Sequence, residues 1–304
     1  VLTDIALRER NLLGRGQDLR VSTTLATKQQ QIDLSFTDPY FLDRDVAAGF
    51  DVFVRTTDFS DRSSFEQSEV GFGLRAGYQM TEKLRHTARY RFTRDSIDDI
   101  QTDASDVVKA QEGTFTTSSI ENDFFFDELD SKFEPTDGYS LSYSVDLAGF
   151  GGSEKFLRNE VGANYFVPLF GSSFIGSVGG EAGHLAPLDD DETRISERFF
   201  LGGSRLRGFE VGGVGPRDLV TDDSIGGTQY YRGSAEIGFP LGLPEEFDIK
   251  GAVFSDMGSV WGSDDPFPNI ADDASLRATA GIGISWGSPV GPVRINLARP
   301  LMKE

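Results

Sequence analysis

In the stretch "VAAGFDVFV", residues 46–54, every second side chain is apolar along the whole length. One face of an extended chain would be apolar throughout, with Val46, Ala48, Phe50, Val52 and Val54. The other face would carry Ala47, Gly49, Asp51 and Phe53. Successive side chains of a strand point to opposite faces, so a period of two predicts a β-strand.

The same alternation recurs along the chain, for example in residues 161–169 and 277–286. The alternating runs are about 9 to 14 residues long, whereas an average globular strand has about 5 to 6 and a bilayer-crossing strand needs about 9 to 11. The second face of these runs carries Arg, Asp, Asn, Lys and Gly. Long strands with one apolar and one polar face are typical of a transmembrane β-barrel.

The connections between the runs also alternate in length. Short, turn-rich connections such as 80–83, 133–138 and 240–246 lie between mostly longer polar ones at 58–65, 96–112, 149–154, 185–228 and 259–273; the tight connection 27–30 is an exception. This layout is typical of outer-membrane barrels, whose loops are long on one side only. The sequence therefore predicts an all-β, antiparallel transmembrane barrel. About fourteen strands are expected, at 4–10, 18–26, 31–37, 46–57, 66–79, 84–95, 113–126, 138–148, 155–167, 173–184, 228–239, 247–258, 275–286 and 292–300.

Residues 185–228 form the longest connection, with 44 residues and no clear alternation. Long loops are usually functional or disordered. This one contains "RFFLGGSRLRGFE", residues 198–210, whose aromatic side chains need a surface to pack against. We expect the loop to be inserted into the lumen of the barrel.

The composition excludes several classes of protein. The chain of 304 residues has a net charge of −20 and no basic block, so nucleic acid is not an expected partner. It has no cysteine, and its two histidines, His86 and His184, lie far apart, so no zinc site is expected. No stretch is long and apolar enough for a membrane helix, and no signal peptide opens the chain.

Motifs that suggest catalysis or ligand binding are weak. Residues 283–287 match G-x-S-x-G around Ser285, but no helix pattern follows, which that motif requires. The glycine-rich run 212–218 lacks the lysine of a phosphate-binding loop. The acidic run 189–192 lacks the spacing of a calcium loop and is more typical of a solvated surface. We expect neither an enzyme nor a cofactor or metal site.

The glycine-rich loop segment "GGSRLRGFE", residues 202–210, carries two arginines in an acidic chain. Inside a lumen, the Arg207 guanidinium would need a carboxylate. Asp256 shares a strand face with Phe254, which could stack on the guanidinium, and Glu236 is a second possible partner. A solvent-facing arginine in a mobile loop is an equally good interpretation of these residues alone.

Five stretches of this sequence resemble the barrel domain of the BamA family of outer-membrane-protein assembly factors. They run in the family's order over nearly the whole chain: "LSFTDPYFLDRDVAAGF" (34–50), "FEPTDGYSLS" (133–142), "RFFLGGSRLRGFE" with "GGVGPRD" (198–218), "GAVFSDMGSVW" (251–261) and "WGSPVGPVRINLARPL" (286–301). "LRGF" and "SPVGP" are shared with sister families, which include two-partner-secretion transporters and organelle import channels.

The resemblance implies a loop anchor. In the family, the arginine of the (V/L)-R-G-(F/Y) motif lies inside the barrel and contacts an aspartate of a nearby strand. On this sequence these residues are Arg207 and Asp256, with Gly208, Phe209 and Phe254 beside them. The secondary candidates for the same site are Glu236, Arg205 and Gly258.

The resemblance also leads us to expect further parts. The family has periplasmic POTRA domains before a sixteen-stranded barrel, whereas residues 1–304 give a single barrel domain with about fourteen strands. The fourteen runs would be the family's second to fifteenth strands, so the first and last strands, which form the seam where the family opens sideways, would be absent here. We expect missing strands, a partner or disorder at that seam, because a bilayer does not tolerate open sheet edges.

The implied function is to insert and fold client β-barrel proteins in the bacterial outer membrane, by templating client strands at the lateral seam. The implied partners are unfolded outer-membrane proteins, accessory assembly lipoproteins, periplasmic chaperones and outer-membrane lipid. The alternative is a polypeptide transporter of the same superfamily, for translocation or autotransporter assembly, and a passive porin ranks behind it.

Overall fold

A computed structural model describes residues 2–170, 173–189, 193–263, 267–288 and 291–302. Sixteen strands are present among these residues: β1 (Leu2–Leu12), β2 (Gln17–Ala26), β3 (Gln29–Asp38), β4 (Ala47–Asp58), β5 (Glu66–Gln79), β6 (Leu84–Asp98), β7 (Gly113–Leu129), β8 (Gly138–Ala148), β9 (Phe156–Leu169), β10 (Phe174–Pro187), β11 (Arg217–Asp218), β12 (Gln229–Pro240), β13 (Ile249–Trp261), β14 (Ile270–Ala271), β15 (Arg277–Ser288) and β16 (Gly291–Met302).

Fourteen of these strands form one antiparallel sheet, in which each long strand pairs with the next along the chain. Only β11 and β14 stand apart, as a two-residue pair between connections. All fourteen predicted strands are present, with ends displaced by three residues at most. The predicted fold class, an all-β barrel of the outer-membrane type, is therefore confirmed.

The sheet has two edges among the described residues. β1 pairs only with β2, and β16 pairs only with β15. Every described side chain of β1 except that of Leu12 is exposed. The expectation of further strands beyond these edges stays a prediction.

The two faces of the sheet differ as the alternation predicts. Large apolar side chains project from the outer face, among them Val52, Val54, Phe72, Leu74, Ile282, Ile284 and Trp286, all exposed. The inner face carries ion pairs between strands, such as Arg75 of β5 with Asp51 of β4 and Arg91 of β6 with Asp146 of β8. Because a lipid-facing surface must be apolar while a lumen can be polar, this distribution matches a membrane barrel.

The long loop lies between β10 and β12, as residues 188–228. The predicted boundary at residue 185 was wrong, because residues 185–187 still pair with β9 and extend β10. The loop contains a 3-10 turn, Ile195–Glu197, and the short strand β11.

Two apolar clusters hold this loop. The lumen cluster joins loop residues to the inner face of the sheet and consists of Ala148, Phe156, Leu185, Phe199, Leu201, Leu206, Val214, Tyr230 and Val260. The cap cluster joins the loop to the connections on the long-loop side and consists of Phe65, Ile97, Ala104, Val107, Val108, Ile195 and Ile225. Since both clusters take side chains from the loop, it packs inside the barrel and at its long-loop end.

Two short helices lie in the long connections: α1 (Ser60–Ser63) and α2 (Asp106–Ala110). Ser105 caps the N-terminus of α2, because its hydroxyl oxygen accepts a hydrogen bond from the Val108 amide at 3.2 Å. No helix of the described residues has the length and apolar character needed to cross a membrane. Most of the acidic run 189–192 lies outside the described residues, as do residues 264–266 of the predicted 259–273 connection.

Candidate functional site

The guanidinium of Arg207 lies against the inner face of two neighbouring strands, β12 and β13. Its Nε and Nη2 donate to the two carboxylate oxygens of Asp256, at 2.6 Å and 2.7 Å. Its Nη1 donates to Glu236 at 2.9 Å, and Nη2 also donates to the Ser234 hydroxyl at 3.1 Å. Two parallel hydrogen bonds from one guanidinium to one carboxylate are a strong geometry for arginine. All three guanidinium nitrogens of Arg207 have partners.

The Arg207 site is also shielded from water. The Phe254 ring stacks on the guanidinium, with 3.4 Å from Cζ to the ring centroid. The side chain of Arg207 is 14% exposed and that of Asp256 only 4%. Burial acts to lower the pKa of Arg207, but the hydrogen bonds and charges of Asp256 and Glu236 outweigh it and raise the pKa above its ordinary value. The site therefore holds a permanently charged arginine.

Two glycines let the loop approach the wall this closely. Gly208 has φ +95°, and a Cβ there would lie 3.1 Å from Ala298 Cβ and 3.3 Å from Thr279 Cγ2. A Cβ on Gly258 would lie 2.7 Å from Leu201 of the loop. Phe209 packs against the lumen cluster. The loop tip thus rests on β13, β15 and β16 with no room for larger residues.

Arg205 lies beside this site and has its own carboxylate. Its Nη2 is 3.2 Å from Glu181 Oε2 on β10, and its guanidinium lies 4.8 Å from the Tyr230 ring centroid. Arg232 of β12 also binds Glu181, through Nε at 2.7 Å. Arg205 therefore contributes a second, more exposed contact to the neighbouring strand.

Several participants were missed from the sequence. Ser234 and Arg294 share the inner face with Glu236, and strand alternation would have placed them there. Arg294 of β16 donates to Glu236 at 2.5 Å, and Ser234 donates to Asp256 at 2.6 Å. Glu236 consequently joins the loop tip to the edge strand β16.

Asp223, near the C-terminal end of the loop, was also missed from the sequence. It is 3% exposed and accepts the Ser64 hydroxyl at 2.6 Å, the Ser105 amide at 2.7 Å and the Thr221 hydroxyl at 3.0 Å. No pattern in the sequence distinguishes it from the exposed Asp222 beside it. Asp223 thus joins the long loop to the β4–β5 and β6–β7 connections, next to the cap cluster.

The arrangement around Arg207 can hold the loop against the barrel wall. A cavity of about 450 Å³ remains beside Arg207, so the loop does not fill the lumen. Within the described part of the chain, no group of three or more His, Cys, Asp or Glu side chains could hold a metal ion. Ser285 lies inside β15, and His86 hydrogen-bonds Asn122 at 3.1 Å.

The fold and this site define an outer-membrane β-barrel with a loop packed in its lumen. The family model of the Omp85 superfamily domain matches residues 11–304, so the chain belongs to the Omp85 superfamily. The resemblance found in the sequence motifs is thereby confirmed.

Individual relatives agree with this assignment. The chain is 32% identical to the outer membrane protein assembly factor BamA of Neorickettsia risticii, over 97% of this chain and 40% of that protein. It is 28% identical to the sorting and assembly machinery component 50 homolog of Bos taurus, over 78% of this chain and 50% of that protein. The chain spans between 36% and 42% of the length of three bacterial relatives.

Solved structures share the fold. BamA from Haemophilus ducreyi lacking POTRA domains 1-3 matches with a TM-score of 0.88 and 22% identity, over 100% of this chain and 64% of that one. CdiB from Acinetobacter baumannii matches with a TM-score of 0.55 and 12% identity, over 98% of this chain and 56% of that one. The predicted localisation in the bacterial outer membrane is confirmed by these likenesses.

Proposed function

We propose that the full-length protein inserts and folds client β-barrel proteins in the outer membrane. The observation that carries this proposal is the 32% identity, over 97% of the chain, to a protein named as an outer membrane protein assembly factor. CdiB from Acinetobacter baumannii, by contrast, has a likeness at 12% identity that supports a shared fold only. Assembly is therefore favoured over the alternatives of polypeptide transport and passive conductance.

Strand templating is the proposed mechanism. The described sheet ends on β1 and β16, each with one unpaired side. An unpaired edge presents rows of N–H and C=O groups that can pair with an incoming extended segment. The lateral seam would lie on this side of the barrel, and a client strand would add to it by backbone hydrogen bonds.

The loop anchor would keep the wall in shape while the seam moves. Arg207 binds β12 and β13, and Glu236 passes the contact on to Arg294 of β16. The loop is thus connected to the strand at the edge of the described sheet. Arg207, Gly208, Phe209, Phe254 and Asp256 would act as one anchor, with Glu236, Arg205 and Gly258 in support.

No chemical step belongs to this mechanism, and we propose that the protein is not an enzyme. Its partners would be unfolded outer-membrane proteins, delivered by periplasmic chaperones, together with accessory assembly lipoproteins and outer-membrane lipid. The net charge of −20 disfavours nucleic acid. Backbone pairing and burial of apolar surface in lipid would supply the free energy for client insertion.

The test is client folding by the full-length protein in proteoliposomes. An unfolded client barrel should fold faster than in empty liposomes, and Arg207→Ala should slow it. Arg44→Ala is the matched control, because Arg44 is an exposed arginine in the connection between β3 and β4 and does not belong to the loop. Passage of a soluble polypeptide without client folding would favour the transporter, and steady ion conductance alone would favour a porin.

A further inference from the structure

The long loop also meets the barrel wall at an ionic contact ten positions before Arg207. Arg158 of β9 donates from Nη2 to the Glu197 carboxylate at 2.6 Å and to the Glu197 carbonyl oxygen, also at 2.6 Å. The two side chains are 18% and 13% exposed. Burial and the double contact distinguish this pair from a surface ion pair.

Aromatic rings border this contact. The Arg158 guanidinium lies 5.1 Å from the Phe156 ring centroid and 5.8 Å from that of Phe199. Both rings belong to the lumen cluster. Because they exclude water from one side of the ion pair, neither charge could be solvated fully if the other were removed.

The backbone around Glu197 fixes where its side chain lies. Glu197 ends the 3-10 turn, and Ile195 at the start of that turn is buried in the cap cluster. Two residues on, the Phe199 amide donates to the Gly227 carbonyl at 2.8 Å, and the Gly227 amide donates back at 3.0 Å. The loop therefore has a fixed path on both sides of Glu197.

The cavity beside this contact carries charges of both signs. Glu197 and Arg158 line a space of about 250 Å³ together with Arg55, Arg91, Glu69 and Asp95. Arg158 holds both the carboxylate and the backbone carbonyl oxygen of Glu197, so a displaced Glu197 would lose two contacts at once. These two contacts with Arg158 specify the position of the loop along the wall.

We propose that Glu197 and Arg158 are a second anchor of the loop, with the polarity of the first anchor inverted. At Arg207 the loop supplies the cation, whereas at Glu197 the loop supplies the carboxylate. The segment 197–207 runs between the two anchors, and Phe199, Leu201 and Leu206 bury it in the lumen cluster. The loop is thus a strut that joins β9 to β12 and β13, and Glu197 and Arg158 are positioning residues.

The experiment measures loop protection in the full-length protein, without any client. Chymotrypsin can cut after Phe199 and Phe200, and the paired backbone at Phe199 protects the wild type. Glu197→Gln should speed this cleavage about tenfold or more, because it removes the charge from a buried pair. The swap Glu197→Arg with Arg158→Glu should restore part of the protection, because it re-forms the ion pair but not the hydrogen bond to the carbonyl of residue 197. Arg158→Gln should be cut at least as fast as Glu197→Gln, because it also removes that hydrogen bond. A folded barrel migrates differently in a gel before and after heating, and this shift in mobility shows whether each variant is folded.

The control is Asp51→Asn, which removes a lumen carboxylate that pairs with Arg75 and does not touch the loop. It should leave cleavage unchanged. A folded Glu197→Gln barrel as protected as the wild type, or a folded swap cut as fast as Glu197→Gln, would overturn the anchor. If the swap does not fold, slower cleavage of Arg158→Gln than of Glu197→Gln would overturn it too.

Client folding is a separate readout, and only this part rests on the proposed function. We expect Glu197→Gln to slow client folding in proteoliposomes and the swap to restore it. If wild-type protein fails to fold clients, the assembly function is wrong, while the cleavage result still decides the anchor. If wild type folds clients and Glu197→Gln does so equally fast despite a loosened loop, the strut has no role in assembly.

Discussion

The Arg207 site and the cap cluster hold the same loop by different means. At Arg207, a buried cation meets the two carboxylates of Asp256 and Glu236. At the cap cluster, Asp223 accepts hydrogen bonds from neutral groups, and apolar side chains such as Ile225 surround it. The lumen end of the loop is thus fixed by formal charges and the other end by neutral donors and apolar packing.

The difference has an energetic consequence. Removal of one member of a buried ion pair leaves the other charge without a partner in a poorly solvated site. Removal of a hydrogen-bonded acceptor leaves only neutral donors unsatisfied, which costs less. A shortened apolar side chain leaves a small cavity, which costs least of the three.

The largest effect is expected for Arg207→Ala. The change leaves Asp256 and Glu236 unpaired, so the free energy of unfolding should fall by about 3–5 kcal/mol. Urea titration of the folded fraction, read from the gel mobility of unheated samples, measures it. Arg44→Ala, at an exposed arginine between β3 and β4, should shift the midpoint far less. Equal midpoints for the two variants would remove the distinction between lumen and surface arginines.

A smaller effect is expected for Asp223→Ala at the cap cluster. The Ser64 hydroxyl and the Ser105 amide lose their acceptor, at a cost of about 1–3 kcal/mol. Hydrogen exchange at the Ser105 amide should become faster by a corresponding factor. The neighbouring Asp222→Ala, with an 84% exposed side chain, is the control. Unchanged protection of Ser105 would show that the carboxylate does not hold these connections together.

A smaller effect again is expected for Ile225→Val in the same cluster. Ile225 is fully buried, so loss of one methylene should lower the free energy of unfolding by about 0.5–1.5 kcal/mol. Val220→Ala, at a side chain that is 75% exposed, provides the control in the same urea titration. If Ile225→Val lowered the free energy of unfolding as much as Arg207→Ala, apolar packing at the cap cluster would hold the loop as strongly as the ion pairs at Arg207.

The smallest effect is expected for Asp130, an exposed carboxylate at the opposite end of the barrel. Thr136 and Asp137 donate hydrogen bonds to it and lower its pKa to about 2. The pKa is below the unfolded value of about 3.9, so the stabilisation is complete above that value and is lost as the pH falls towards the folded value. The stability difference between wild type and Asp130→Asn should therefore shrink between pH 5 and pH 2. A difference that stays constant with pH would contradict this.

Much of the fold was predictable because it depends on a local pattern. Strand β5 was predicted with its observed ends, and β13 was placed with Phe254 and Asp256 on the inner face. Alternation reports the face of each residue directly, since the side-chain period of a strand is two. The ends of β10 and β13 were missed by three residues because pairing with neighbours, and not local composition, decides where a strand stops.

The site was predictable in part. A resemblance to family motifs pointed to Arg207 and Asp256, and the structure has these residues in contact, although their role as an anchor stays a prediction. The residues alone could not choose between Asp256 and Glu236, and the structure places Arg207 against both. Glu197 with Arg158, and Asp223 with Ser105, carried no local pattern at all.

The sequence by itself determined which segments are strands, which of their faces is polar, and that the aromatic segment of the long loop needs a surface to pack against. Only the tertiary structure decided the partners: Arg158 meets Glu197 across 39 positions, and Ser105 meets Asp223 across 118. The physical reason is that alternation fixes the direction of a side chain but not its height in the barrel. Height follows from the register between strands and from the path of the loop, which the packing of the whole chain sets.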